Sequence, residues 1–190
     1  MFGANFAKKV GEEINKARTD PAGYSKKIND LLKYFHGKVL ELPKEAGIET
    51  TEGQAGYKEA ADFLAKAEKL EPLTADPKLT KVAEEIVGEM KKKNDEAEMD
   101  KVDRKSIIKK YGHTEGRFGD STDYGSMTPQ MVVINLLVDD GNKSRSNRKL
   151  IFNKEYKLMG VGNAAHDEFG SISFIAFASD FTEGEANVYA

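Results

Sequence analysis

Apolar residues recur at helical spacing from Phe6 to Leu137 and alternate cleanly in only one stretch, Ser171-Ile172-Ser173-Phe174-Ile175-Ala176-Phe177-Ala178. Spacings of three and four collect side chains on one face of a helix, and a spacing of two collects them on one face of a strand. A lone hairpin is barely stable in water, so a chain of helices with a late hairpin has to cover that hairpin with its helices. The pattern predicts an α+β fold in which helices flank a small antiparallel sheet. At 190 residues this is the length of one domain, taken as 1–190.

The punctuation of the chain sharpens this reading. Phe6, Val10, Ile14 and Ala17 predict a first helix that stops at Thr19. Asp20-Pro21 and Asp76-Pro77 each read as an N-cap followed by a proline at the first helical position. The helix after Pro21 carries Tyr24, Ile28, Leu31 and Leu32 and is predicted to end near Gly37. Residues 38–53 read as a loop with an extended piece at Val39 to Pro43. A third helix follows, with Tyr57, Ala60, Ala61 and Leu64 on one face. The helix after Pro77 buries Leu79, Val82, Ala83, Ile86, Val87 and Met90, and Lys91-Lys92-Lys93 suits the negative end of its dipole. Residues 93–102 read as a polar loop, Arg104 to Tyr111 as a short helix, and Gly112 to Thr128 as a Gly- and Asp-rich loop. Thr128-Pro129 starts another helix, with Met131, Val132, Leu136 and Leu137 buried and Gly141 as its stop. A basic turn spans residues 143–149. Strands follow at Leu158 to Ala164 and Ser171 to Ala178, joined by Asp167-Glu168-Phe169-Gly170.

Composition removes several function classes. Lys and Arg number 29 against 32 Asp and Glu, a net charge of −3, which lacks the basic excess of a general nucleic-acid binder. With no cysteine there is no disulfide, no cysteine zinc site and no thiol catalysis, and an intracellular home is expected. The opening Met1 to Lys9 has no apolar core of a secretory signal, and no apolar run is long enough for a membrane span. The three histidines, His36, His113 and His166, form no zinc-type spacing; no phosphate loop, EF-hand or G-x-S-x-G elbow occurs. His36 reads as a helix-end cap and His166 as a surface residue of the hairpin turn. His113, in the glycine-rich loop, is the best functional candidate of the three. Asp120 and Asp123 could bind a cation with nearby carbonyls or serve as turn and cap residues. Asp139-Asp140 at a helix C-terminus is electrostatically unfavourable, so Arg145 or Arg148 is expected to bond these carboxylates or the helix-end carbonyls.

The segment Leu137-Val138-Asp139-Asp140-Gly141-Asn142-Lys143-Ser144-Arg145-Ser146-Asn147-Arg148-Lys149-Leu150-Ile151-Phe152 resembles the L-x-D-D-G-x-x-x-R-G-H-R-x-x-I-F segment of the CAP superfamily, or SCP domain. Tyr156 to Gly162, His166 and Phe169-Gly170 resemble the hairpin of its bacterial and protist branch, and Ile175 to Ala178 its last strand. Ile14 to Ala22 resembles its opening helix, while Thr51-Glu52-Gly53 and Leu73 to Leu79 fit the middle, so that the likeness runs from about 12 to 182. The resemblance implies an α-β-α sandwich with a cleft that usually holds two histidines and two acidic residues, often able to bind zinc. Here the family's G-E-N-I-x-Y-G loop reads Gly119-Asp120-Ser121-Thr122-Asp123-Tyr124-Gly125, leaving Asp120 in place of the glutamate. Asn147 replaces the R-G-H-R histidine, and the stretch from Met90 to Val102 has no histidine; His113 substitutes only if the loop is shifted. An amide is a poor zinc ligand.

These readings make the degenerate cleft positions His113, Asp120 and Asn147, with Asp139, Asp140, Gly141, Arg145, Arg148 and His166 as structural motif residues. The expected protein is a non-catalytic binding or structural module with no catalytic residue, no metal and no cofactor. It would be cytoplasmic, with protein partners and with no nucleic acid or membrane insertion. By resemblance it could serve in a cytoskeletal or ciliary assembly. Lys91 to Lys105 and Gly112 to Ser126 are the expected contact regions. Two alternatives stay open: a sterol- or lipid-binding protein, and a residual metal-dependent hydrolase using His113 and Asp120.

Overall fold

Helix starts are set by side chains that satisfy the first backbone amides. In the computed structural model, which describes residues 2–183, α1 spans Ala4–Thr19 and α2 Pro21–Leu31. Asp20 caps α2 by accepting from Gly23 N at 3.1 Å. The chain tightens into a 3-10 turn at Leu32–Tyr34 and then forms β1 (Phe35–His36), β2 (Val39–Leu40) and β3 (Ile48–Glu49), a small antiparallel sheet. Next come α3 (Gln54–Lys66), β4 (Thr74–Ala75) and α4 (Pro77–Met90). Asp76 caps α4, accepting from Lys78 N and Leu79 N at 2.9 and 2.8 Å. Then follow α5 (Glu96–Met99), α6 (Arg104–Tyr111), β5 (Phe118–Tyr124), α7 (Pro129–Val138), α8 (Ser146–Ile151), β6 (Leu158–His166) and β7 (Gly170–Ala178).

The main sheet has the order β4-β6-β7-β5. β7 pairs antiparallel with β6 on one side, Val161 opposite Ile175, and with β5 on the other, Ser121 opposite Ile175. β4 adds a two-residue parallel strand beside the start of β6. Alternation along β7 feeds two cores. Ile175 and Phe177 join the cluster under α1, α2, α3 and α7, while Phe174, Ala176 and Ala178 join the cluster under α4 and α6. The result is an α-β-α sandwich. Glycine lets the layers meet: a Cβ at Gly160 would overlap the Leu79 carbonyl of α4, and one at Gly162 that of Ala83.

Two side chains of α1 tie this frame together. Asn15 donates to Leu73 O at 2.9 Å and accepts from Leu73 N at 2.7 Å. Arg18, 1% exposed, donates to the carbonyls of Glu71, Ile151 and Asn153 at 2.6 to 3.1 Å. Burial lowers its pKa, and these carbonyls supply the partners that a buried cation needs.

Several boundaries differ from the sequence reading. Residues 118–124 of the expected Gly/Asp loop are β5, because pairing with β7 supplies what the strand's own polar pattern does not. The helix after Pro21 ends at Leu31 rather than near Gly37, so His36 lies in β1 instead of capping a helix. α7 ends on Asp139, which takes the left-handed conformation at φ 52°, two residues before Gly141. The polar stretch 93–102 contains α5, anchored by the fully buried Met99, and the basic turn 143–149 runs into α8.

Candidate functional site

The aspartate-glycine-arginine motif folds into a clasp between the end of α7 and the start of α3. Asp139 Oδ2 accepts from Asn147 N at 2.9 Å and Asn142 Nδ2 at 3.1 Å, and its Oδ1 accepts from Asn147 Nδ2 at 2.9 Å. Asp140 accepts from the amides of Thr51 and Glu52 at 2.5 and 2.9 Å. Arg145 donates to both oxygens of Glu52 at 2.8 and 2.6 Å and to Asp139 O at 2.8 Å. Arg148 donates to both oxygens of Glu59 at 2.7 and 2.6 Å and to Leu137 O at 2.6 Å. Backbone and amide N–H groups thus stabilise the two aspartates, while the arginines serve the helix-end carbonyls and two glutamates. The bidentate Arg145 fork, with the Gly141 amide, lowers the Glu52 pKa to about 2.

Beside the clasp opens a cleft of about 450 Å³ between β3, α3, α5, β5 and the end of α7. Its polar lining includes Asp123, Asn135, Asn147 and Tyr57. Tyr57 donates to Asn135 Oδ1 at 3.5 Å, and Asn135 Nδ2 reaches Asp123 Oδ1 at 3.3 Å and Ser126 Oγ at 2.9 Å. Asp123 is 5% exposed, and its Oδ2 has no hydrogen-bond partner. Burial raises its pKa to about 7, against the opposing hydrogen bonds of Ser126 and Asn135. None of the lining hydroxyls, Thr50, Tyr57, Thr122 and Tyr124, is hydrogen-bonded to a carboxylate or imidazole among the described residues. A nucleophile paired with a base is therefore missing from this geometry.

Of the positions singled out from the sequence, Asp123, Asn147, Asp139 and Asp140 line this cleft, whereas His113 and Asp120 stand outside it. His113 is exposed on a bridge to Thr182, with Nε2 3.3 Å from Glu115 Oε1. Asp120 pairs with Arg104 at 2.9 Å, and burial raises its pKa despite that neighbour. His166 is not the surface residue expected. The residue is 6% exposed; Nδ1 accepts from the amides of Glu168 and Phe169 at 3.2 Å, which leaves Nε2 to donate to Lys93 O at 2.8 Å. It locks the β6–β7 turn to the end of α4. The pairing of Glu52 with Arg145 and of Glu59 with Arg148 escaped the sequence reading because the partners lie about 90 positions apart.

A zinc centre does not fit the cleft. No imidazole lines it, both oxygens of Asp139 and of Asp140 are taken by N–H donors, and no group of three or more His, Asp or Glu among the described residues is arranged around a common point.

A model of the CAP family, the cysteine-rich secretory protein family, matches residues 12–178. The chain belongs to that family. Among solved structures it is similar to a cysteine-rich secretory protein from Staphylococcus aureus, at 15% identity and a TM-score of 0.42. The match covers 73% of this chain, and the chain spans 44% of that protein's length. No curated protein matches it.

Proposed function

We propose that this CAP domain is a non-catalytic binding module whose motif residues hold the scaffold instead of performing chemistry. The observation that carries this is the use made of Asn147. At the position where the family motif has its histidine, both the backbone and the side-chain amide are spent on Asp139. The missing imidazole and the lack of an activated nucleophile support the same reading. Its test is a turnover screen with ester, peptide and phosphoester probes at pH 5 to 8, with and without added zinc. The expected result is no turnover above buffer. Turnover abolished by Asp123→Asn or His113→Ala would establish the hydrolase reading instead. The absence of cysteine supports an intracellular site, and a tagged chain recovered outside the cell would contradict it.

One observation favours the lipid alternative. An apolar groove of about 300 Å³ lies between α1 and α4, walled by Ala7, Gly11, Leu73, Met159 and Val161. A fluorescent fatty acid displaced by Ala7→Trp would support lipid binding there; no binding to the unaltered protein would exclude it.

A further inference from the structure

One edge of the main sheet is only partly paired. Thr74 N donates to Lys157 O at 2.8 Å and Asp76 N to Met159 O at 2.9 Å, so the odd-numbered residues from Lys157 onward turn their main-chain groups toward β4. Those groups alternate from side to side along an antiparallel ladder. Gly160 and Gly162 therefore bond β7, and the N–H and C=O of Val161, Asn163 and Ala165 point at the opposite edge. β4 stops at Ala75, and no strand among the described residues lies beside those three. Exposure along this edge rises from Val161, at 6%, through the half-buried Asn163 to the exposed Ala165. Met159 and Val161 belong to the apolar groove between α1 and α4. Main-chain groups in such a groove call for hydrogen bonds that a hydrocarbon chain does not supply.

We propose that an extended segment of a partner protein enters this groove and adds to the open edge of β6, continuing the line that β4 begins. The inference rests on the reading of the chain as a binding module and names the kind of partner. β4 already pairs with Leu158 and Met159 on this edge, and the segment carries that pairing on to Val161 and Asn163. α1 borders the groove with Ala4 and Ala7, and α4 borders it with Thr80 and Glu84, so the edge is recessed between two helices. A recessed edge takes a single strand and excludes the edge of a second sheet, which rules out pairing of two copies of this chain through β6. Side chains of an added strand alternate between the two walls. The alanines leave room for Val or Leu on the α1 side, and Thr80 and Glu84 suit Thr or Lys on the α4 side. Main-chain hydrogen bonds give affinity in this mode of recognition, and the side-chain walls give selectivity.

Titration of the nitrogen-15-labelled full chain with the capped pentapeptides Thr-Val-Thr-Val-Thr and Thr-Leu-Lys-Leu-Thr tests this. The expected results are binding of at least one peptide at millimolar concentration or below, and slowed hydrogen exchange at the Val161 and Asn163 amides. One set of alternate peptide amides faces β6 and the other faces away. Methylating the first set should weaken binding by about tenfold or more, and methylating the second should change it by less than about twofold. Val161→Pro removes an edge N–H without touching a bond to β7, and should also weaken binding by about tenfold. If that variant fails to fold, the two methylated peptides decide on the unaltered protein. No binding by either peptide, equal effects of the two methylation patterns, or a fatty acid that binds where neither peptide does would overturn the inference. Hydrolysis of a bound peptide would instead overturn the non-catalytic reading on which it rests.

Discussion

Arg18, Glu52 and Asp123 show how one side chain can be fixed by the company it is given. Among the described residues Arg18 pairs with no carboxylate, and its guanidinium donates instead to three carbonyls. Arg18→Met should therefore lower unfolding stability by about 3 kcal/mol, read by urea denaturation with an unchanged slope. Glu52 and Asp123 are shifted in opposite directions, and their effects on stability oppose each other. The Glu52 pKa is depressed in the folded state, so its contribution is complete above about 4.5 and lost as pH falls toward 2. Glu52→Gln should flatten stability across that acid range. The Asp123 pKa is raised, so the folded state holds a proton that the unfolded chain has released between about 4 and 7. Stability should fall across that interval, and Asp123→Asn should remove the fall. Thermal melts at half-unit steps of pH separate the two.

The elements depend on how closely α4 lies on β6. Gly160 has no room for a methyl group against the Leu79 backbone, whereas nothing stands within 4 Å of a Cβ at Gly88 on α4. Gly160→Ala should cost about 3 kcal/mol through displacement of the helix. Gly88→Ala should stabilise by about 0.5 kcal/mol through helix propensity. Denaturant unfolding of the pair reads both. α2, α4 and α7 were legible because Asp20-Pro21, Asp76-Pro77 and Thr128-Pro129 announce their starts and periodicity marks their buried faces, whereas the short α5 and α8 have neither signal. β5 was illegible because Phe118 to Tyr124 has no apolar alternation; it is a strand only through its pairing with β7. The clasp was half legible for a similar reason. Asp139, Arg145 and Arg148 sit in one contiguous segment, but Glu52, just before α3, and Glu59, within α3, reach them only in the fold.

Across the molecule, CAP membership fixes the sandwich, while the cleft residues of this chain fix what the sandwich can do. Asn147 closes the clasp instead of presenting an imidazole, and Asp123 is buried against Asn135 of α7. The central claim is that the motif holds structure. A double-mutant cycle of Asp139→Ala and Asn147→Ala, followed by equilibrium urea unfolding, tests it most directly. The account predicts that each single change destabilises and that the pair is coupled by about 1 to 3 kcal/mol. Single changes that leave stability untouched, with no coupling between them, would contradict it.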